Sequence, residues 1–303
     1  MKTSTFIFLF LAIAIIVASV YFAKKRKKKA PIIDPAPSEI FPYKVNAPNR
    51  VYDLKKKLRE ISDLCYDATS SALWAVADEK GTLYRLHLPE VSPIDKFKFG
   101  ENGDYEGIEA IGDTLYVMES NGRITRILDI TSPKLETAIF ENPSLKGNDI
   151  EAFMYDSNIK KLILGIKTPK EGKDSRAFYA FDPVSTQFDS QPLFEISLGD
   201  IQAFLRKNGL SGKYYDRWLK EKAEMPRPSA IAIQPQTGHY FILCSLGKTL
   251  LVTQPDGEIL QVIALDKDLH TKPEGLAFGP DGTMYISNEA DGGVAKLYAY
   301  KPE

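Results

Sequence analysis

The chain has 303 residues, 44% of them hydrophobic and 26% charged, with 39 basic and 40 acidic side chains and a net charge of −1. That composition supports a buried core, which excludes a disordered or collagen-like protein, and it leaves no global basic field to hold nucleic acid. Two cysteines, Cys65 and Cys244, are too few for a disulfide framework; each lies in an apolar run and reads as a buried free thiol.

The first segment in chain order is Phe6 to Ala23, a nearly unbroken apolar run followed by six basic residues, Lys24 to Lys29. As a helix it spans about 27 Å, enough to cross a bilayer core. It is longer than the apolar part of a cleavable signal and lacks an A-x-A-like end, so residues 1–29 read as an uncleaved transmembrane anchor with a basic flank. The flank favours anionic headgroups and, by the positive-inside rule, a cytoplasmic position for the rest of the chain. Residues 30–49 carry five prolines without periodicity and read as a stiff linker.

From residue 50 onward the sequence repeats. A phrase of one acidic or hydroxyl residue, one short residue and alternating apolar positions recurs with its first member at Ser62, Glu106, Glu151, Ser229 and Glu274. The intervals are 44, 45, 78 and 45 residues. Each phrase precedes two more apolar runs: 72–76 and 82–86, 114–118 and 123–127, 161–165 and 177–181, 239–243 and 249–253, 283–287 and 295–299. Turn pairs such as Asn121-Gly122, Asp256-Gly257 and Asp281-Gly282 separate strands where positive φ is needed. A fourth run, 259–263, closes one repeat. Four short antiparallel strands per roughly 45 residues is the signature of a propeller blade. The expected fold is therefore all-β, a five-bladed β-propeller over residues 50–303. Arg50 to Leu54 would supply the outer strand that the last repeat lacks and so close the ring. The long interval implies an insertion, residues 200–223, expected as a small helical pair because Tyr215, Trp218 and Leu219 share a helical face.

In a propeller the innermost strands line a central channel, so Ser62, Glu106, Glu151, Ser229 and Glu274 should ring one mouth. Carboxylates facing one channel raise each other's pKa unless a cation sits between them. A hard oxygen-rich ring suits calcium better than magnesium, and without a His or Cys cluster it does not suit zinc. The candidate metal ligands are Glu106, Glu151 and Glu274, with Glu289 and Asn288 as further oxygen donors. The competing reading is structural: a Glu or Ser opening each strand bonds to neighbouring backbone and holds the blades together. Of the three histidines only His270 lies near a ring residue in sequence, and there is no nucleophile elbow, phosphate loop or CxxC motif.

Gly103-Asp-Tyr-Glu-Gly107, Arg227-Pro-Ser-Ala-Ile-Ala-Ile-Gln-Pro-Gln-Thr-Gly238 and the stretch from Lys272-Pro-Glu-Gly-Leu-Ala-Phe-Gly-Pro-Asp-Gly to Glu289 resemble the SdiA-regulated family of bacterial proteins. The resemblance runs from about residue 50 to the carboxyl end. It implies a membrane-anchored five-bladed propeller, distantly NHL-like, with a bound calcium ion and no established reaction. It also implies an inner-membrane location with the propeller on the periplasmic side, against the Lys24–Lys29 argument for the cytoplasm. The expected function is a calcium-binding interaction module whose channel face takes a protein or small-molecule ligand. The alternative is a calcium-dependent hydrolase, lactonase or phosphoesterase-like, using the channel; a third is a passive scaffold.

Overall fold

The computed structural model describes residues 36–303 except 93, 173, 221 and 222. The expected anchor at 6–23 and its basic flank lie outside the described residues. No helix among the described residues is long and apolar enough to cross a membrane.

Five antiparallel sheets succeed one another along the chain. The first holds β2 (Ile61–Asp67), β3 (Ala72–Ala77), β4 (Lys80–His87) and β5 (Ile94–Asn102) in that order. The second holds β6 (Tyr105–Ile111), β7 (Thr114–Glu119), β8 (Ile124–Leu128) and β9 (Glu136–Phe140). In the third, β10 (Asp149–Asp156), β11 (Lys161–Thr168) and β12 (Ser175–Asp182) are followed by an outer strand split in two, β13 (Gln187–Phe188) and β14 (Phe194–Ser197), both paired with β12. The fourth holds β15 (Arg227–Ile233), β16 (Tyr240–Leu246), β17 (Thr249–Thr253) and β18 (Ile259–Ala264). The last sheet joins both ends of the domain: β19 (Pro273–Phe278), β20 (Met284–Asn288) and β21 (Lys296–Tyr300) are completed by β1 (Arg50–Asp53). Arg50 opposes Ala299 and Asp53 opposes Lys296, the clasp expected from the sequence.

Each blade is packed on both faces, so a middle strand can be buried along its whole length: all six residues of β3 are buried, and so are all five of β17. The buried side chains sort into five clusters, one per blade interface. The inner strands approach so closely that a Cβ on Gly107 would lie 2.4 Å from Cβ of Phe153 in the next blade. That crowding explains the short residue after each ring position.

Among its described residues, the insertion between the third and fourth inner strands contains one α-helix, α1 (Leu198–Lys207), and a single 3-10 turn at Tyr215–Arg217 where the second helix is expected. Ser197 caps α1 through Asp200 N–H at 3.1 Å, and Asp200 completes the capping box. Gly209 and Gly212, both at positive φ, turn the chain after α1. Ile201, Leu205 and Trp218 are buried in the cluster between blades three and four, and the Tyr214 hydroxyl donates to Lys248 O at 2.6 Å.

The end of the Pro-rich stretch packs into the propeller. Phe41, Tyr43 and Val45 are almost wholly buried in the cluster between blades four and five. The Tyr43 hydroxyl donates to Gly282 O at 2.8 Å, and the Asn46 side chain bonds Ala264 O and Asp266 N–H.

Candidate functional site: a carboxylate ring at one channel mouth

The five ring positions share a local irregularity. In blade one the pairing steps from Ile61–Ala77 to Asp63–Val76, leaving Ser62 without a partner. The same slip leaves out Glu106, Glu151 and Ser229, and in blade five both Glu274 and Gly275. A β-bulge re-aims the side chain of its extra residue. Bulges at equivalent points of five blades therefore set these residues at one mouth of the channel.

The ring is electrostatically continuous. Glu106 feels the negative charge of Glu151, Asp104 and Asp78; Glu151 feels Glu274; Glu274 feels Glu289; and Asp78 feels Glu289. Burial first, and like charge second, push the Glu106 carboxyl far above the usual carboxylate range. Burial also raises Glu151 and Glu274, and it raises Asp78 together with the contact to Asp104.

Two lysines divide this ring. Lys167, at the end of β11, bonds Glu151 and is close enough to Glu274 and Glu106 to lower their pKa. Lys272 bonds Glu289 and lies 3.8 Å from Glu274. Ser245 Oγ adds a hydrogen bond to Glu274 at 3.3 Å. Glu151, Glu274 and Glu289 thus have internal counter-ions. Glu106 instead joins Asp78 and Asp104, with one oxygen of each carboxylate within 4.8 Å of the others. None of the ion pairs among the described residues involves these three.

The trio is built by the crossing from blade one to blade two. Tyr105 N–H donates to Asp78 O at 2.9 Å, and Ser120 N–H donates to Asp104 O at 2.9 Å. The Ser120 hydroxyl also bonds the Asp104 carboxylate. Sequence reading misses Asp78 and Asp104 because they follow β3 and precede β6, outside the repeated phrase; the Asp104-Tyr-Glu106 spacing is the signal the sequence offers. Calcium–oxygen distances of 2.3–2.6 Å permit two ligands of one ion to lie up to about 5 Å apart, so the trio fits a calcium ion.

Of the other polar residues at the ring, Ser229 has a blade-linking bond: its Oγ donates to Pro273 O of the next blade at 3.0 Å, as the blade-linking reading expects. Asn288 is buried, with both side-chain polar atoms unpartnered. His270 is buried away from the ring against Val45 O at 3.1 Å and the Tyr300 hydroxyl at 3.2 Å, and burial lowers its pKa to about 4. His87 bonds Asp95 at 2.7 Å in the outer part of blade one. Cys65 and Cys244 are free and buried, as expected.

Solved structures similar to this fold include the glutaminyl cyclase of Myxococcus xanthus, at 13% identity and a TM-score of 0.55, covering 84% of this chain and 95% of that one. The PQQ-bound aldose sugar dehydrogenase of Streptomyces coelicolor has 13% identity and a TM-score of 0.49, covering 85% and 100%. At such identity the likeness to the cyclase shows the fold alone, and the weaker one carries no argument. No curated protein matches the chain significantly. The sequence model of the SdiA-regulated family, in contrast, matches residues 42–291, which include every ring carboxylate and the inner strands of every blade. The chain belongs to the SdiA-regulated family.

Proposed function

We propose that this protein is an interaction module of the bacterial envelope, held at the inner membrane by residues 6–23, whose propeller binds calcium at the mouth bearing the carboxylate ring. The observation that carries the reading is the Asp78–Asp104–Glu106 trio: three converging carboxylates, two with raised pKa, in a ring whose other members already have lysine partners. Burial first and repulsion second raise them, and a divalent cation there would offset both. Asp78, Asp104 and Glu106 would hold the ion, with carbonyls and water completing the six to eight oxygens calcium takes. Glu151, Glu274 and Glu289 would then form a charged rim with Lys167 and Lys272, suited to a polar protein or small-molecule ligand.

A binding role fits better than hydrolysis because His270, the histidine nearest a ring residue in sequence, is buried away from the ring and Glu151 is engaged by Lys167. Calorimetric titration of calcium into chelator-treated protein tests the proposal. One ion per chain is expected, lost in Asp104→Asn; no binding at millimolar calcium would overturn it. Protease shaving of spheroplasts tests the location. Cleavage of the propeller in intact spheroplasts supports the periplasmic side, and protection until permeabilisation contradicts it.

A further inference from the structure

The other end of the channel differs from the ring. Four residues past each bulge the inner strands reach the opposite mouth, where they enclose a cavity of about 330 Å³ lined by all five blades. Its walls are apolar and aromatic, including Tyr66, Tyr155, Ile233 and Phe278. Among the lining residues the one carboxyl group is Glu109, and no lysine or arginine lines the cavity. Its carboxyl accepts N–H bonds from Ala110 at 3.2 Å and from Tyr155. No ion pair among the described residues reaches it.

Asp63 separates this cavity from the ring. It is 1% exposed and accepts backbone N–H bonds from Ile108 at 3.0 Å and from Leu64 and Leu276, so it ties blades one, two and five together. The ionisable groups beside Glu109 are Asp63 and Cys65, both with a pKa raised by burial, with the phenols of Tyr66 and Tyr155 in the wall. The site therefore has apolar volume and one acidic group, and it has no internal cation.

We infer that this second mouth is a binding site for a small organic ammonium ion with an apolar or aromatic body, which sets its ammonium against Glu109 and its body against Tyr66, Tyr155 and Phe278. The arrangement has the few convergent polar groups in an apolar cavity that small-molecule sites use, and aromatic faces add cation–π attraction. The carboxylates of the first mouth cannot give this selectivity, because lysines and a divalent cation compete there.

The binding step has a proton balance that an apolar hole would lack. Burial raises Glu109 to about 8, so at pH 7 the free site is mostly protonated. An incoming ammonium favours the carboxylate, the Glu109 proton passes to buffer, and the ligand keeps its own proton. Close to one proton should be released per ligand bound.

The test is calorimetry on the full chain with saturating calcium, which keeps the first mouth occupied. Phenethylamine, its uncharged isostere 2-phenylethanol and the anion 3-phenylpropanoate are titrated at pH 7 in two buffers of different ionisation enthalpy. The amine should bind at least tenfold tighter than either analogue, with proton release. Glu109→Gln should lose that preference and the proton release while still binding 2-phenylethanol. Ser157→Phe, at the exposed cavity rim, should weaken all three probes tenfold or more without touching the core. Equal binding of amine and alcohol, unchanged amine binding in Glu109→Gln, or no binding of the amine would each overturn the inference. None of these outcomes bears on calcium at the opposite mouth.

Discussion

Glu106→Gln and Glu151→Gln are near-isosteric changes at equivalent ring positions, and the structure predicts opposite behaviour. Calcium at a hundredfold excess over its dissociation constant stabilises the folded state by about 2.7 kcal/mol. At about 2.1 cal/mol/K of unfolding entropy per residue, over a domain of about 250 residues, that is a rise of about 5 °C in Tm. Glu106→Gln removes one of three ligands and also a carboxyl that folding must keep protonated at pH 8, where the unfolded chain ionises it. Its Tm in chelator at pH 8 should equal or exceed that of the wild type, while the calcium-induced rise falls to about 1 °C or less. Glu151→Gln removes the partner of Lys167, whose side chain is 25% exposed beside a Glu151 side chain at 8%. An ammonium left short of its counter-ion in a half-buried site costs about 1–3 kcal/mol, so Tm should fall by about 2–6 °C with and without calcium. The calcium-induced rise should persist. Scanning calorimetry of the three proteins, each with calcium and with chelator, reads all six values. A calcium response that survives Glu106→Gln but vanishes in Glu151→Gln would refute the assignment of the ion to the blade one–two junction and return it to the channel axis.

The apo protein should lose stability as pH rises. Glu106 and Asp78 are raised in the folded state, so above the unfolded carboxyl range the folded form holds more protons, and stability falls by up to about 1.4 kcal/mol per pH unit for each proton until the folded groups ionise. Urea unfolding in chelator from pH 5 to 8 should show this decline, and calcium should flatten it; a stability that increases over that range contradicts the ring electrostatics. Gly107→Ala forces a Cβ to 2.4 Å from Phe153 Cβ and should cost about 1–3 kcal/mol by denaturant unfolding, although Ala suits a strand better than Gly. Tyr43→Ala empties a fully buried site and breaks the bond to Gly282 O, so it should cost about 3–5 kcal/mol. A change below 1 kcal/mol would mean that the packed end of the Pro-rich stretch is not part of the cooperative fold.

The inner three strands of each repeat were legible in the sequence because the blades bury both strand faces, so apolar runs at a 45-residue period cannot be mistaken for one-sided sheets. The blade number, the clasp by Arg50–Asp53 and the place of the insertion derive from the same spacing. The outer strands were mostly invisible. In β5 the text Ile94-Asp-Lys-Phe-Lys-Phe-Gly-Glu-Asn102 is charged and half-exposed, because an outer strand has water on its free edge. The split outer strand of blade three, β13 with β14, leaves even less pattern.

At the site, sequence alone located the ring, because equivalent positions in equivalent strands must converge on one axis. It could not say which carboxylates keep their charge free. That depends on Lys167, 16 residues from Glu151 in sequence, and on Lys272, which crosses the sheet to Glu289. It also could not see that Asp78 and Asp104, in different blades, meet Glu106, or that Glu109 stands at the other mouth. Whether a carboxylate is paired, repelled or stranded is set by distances of a few ångströms between residues far apart in the chain, and only the closed ring fixes those distances.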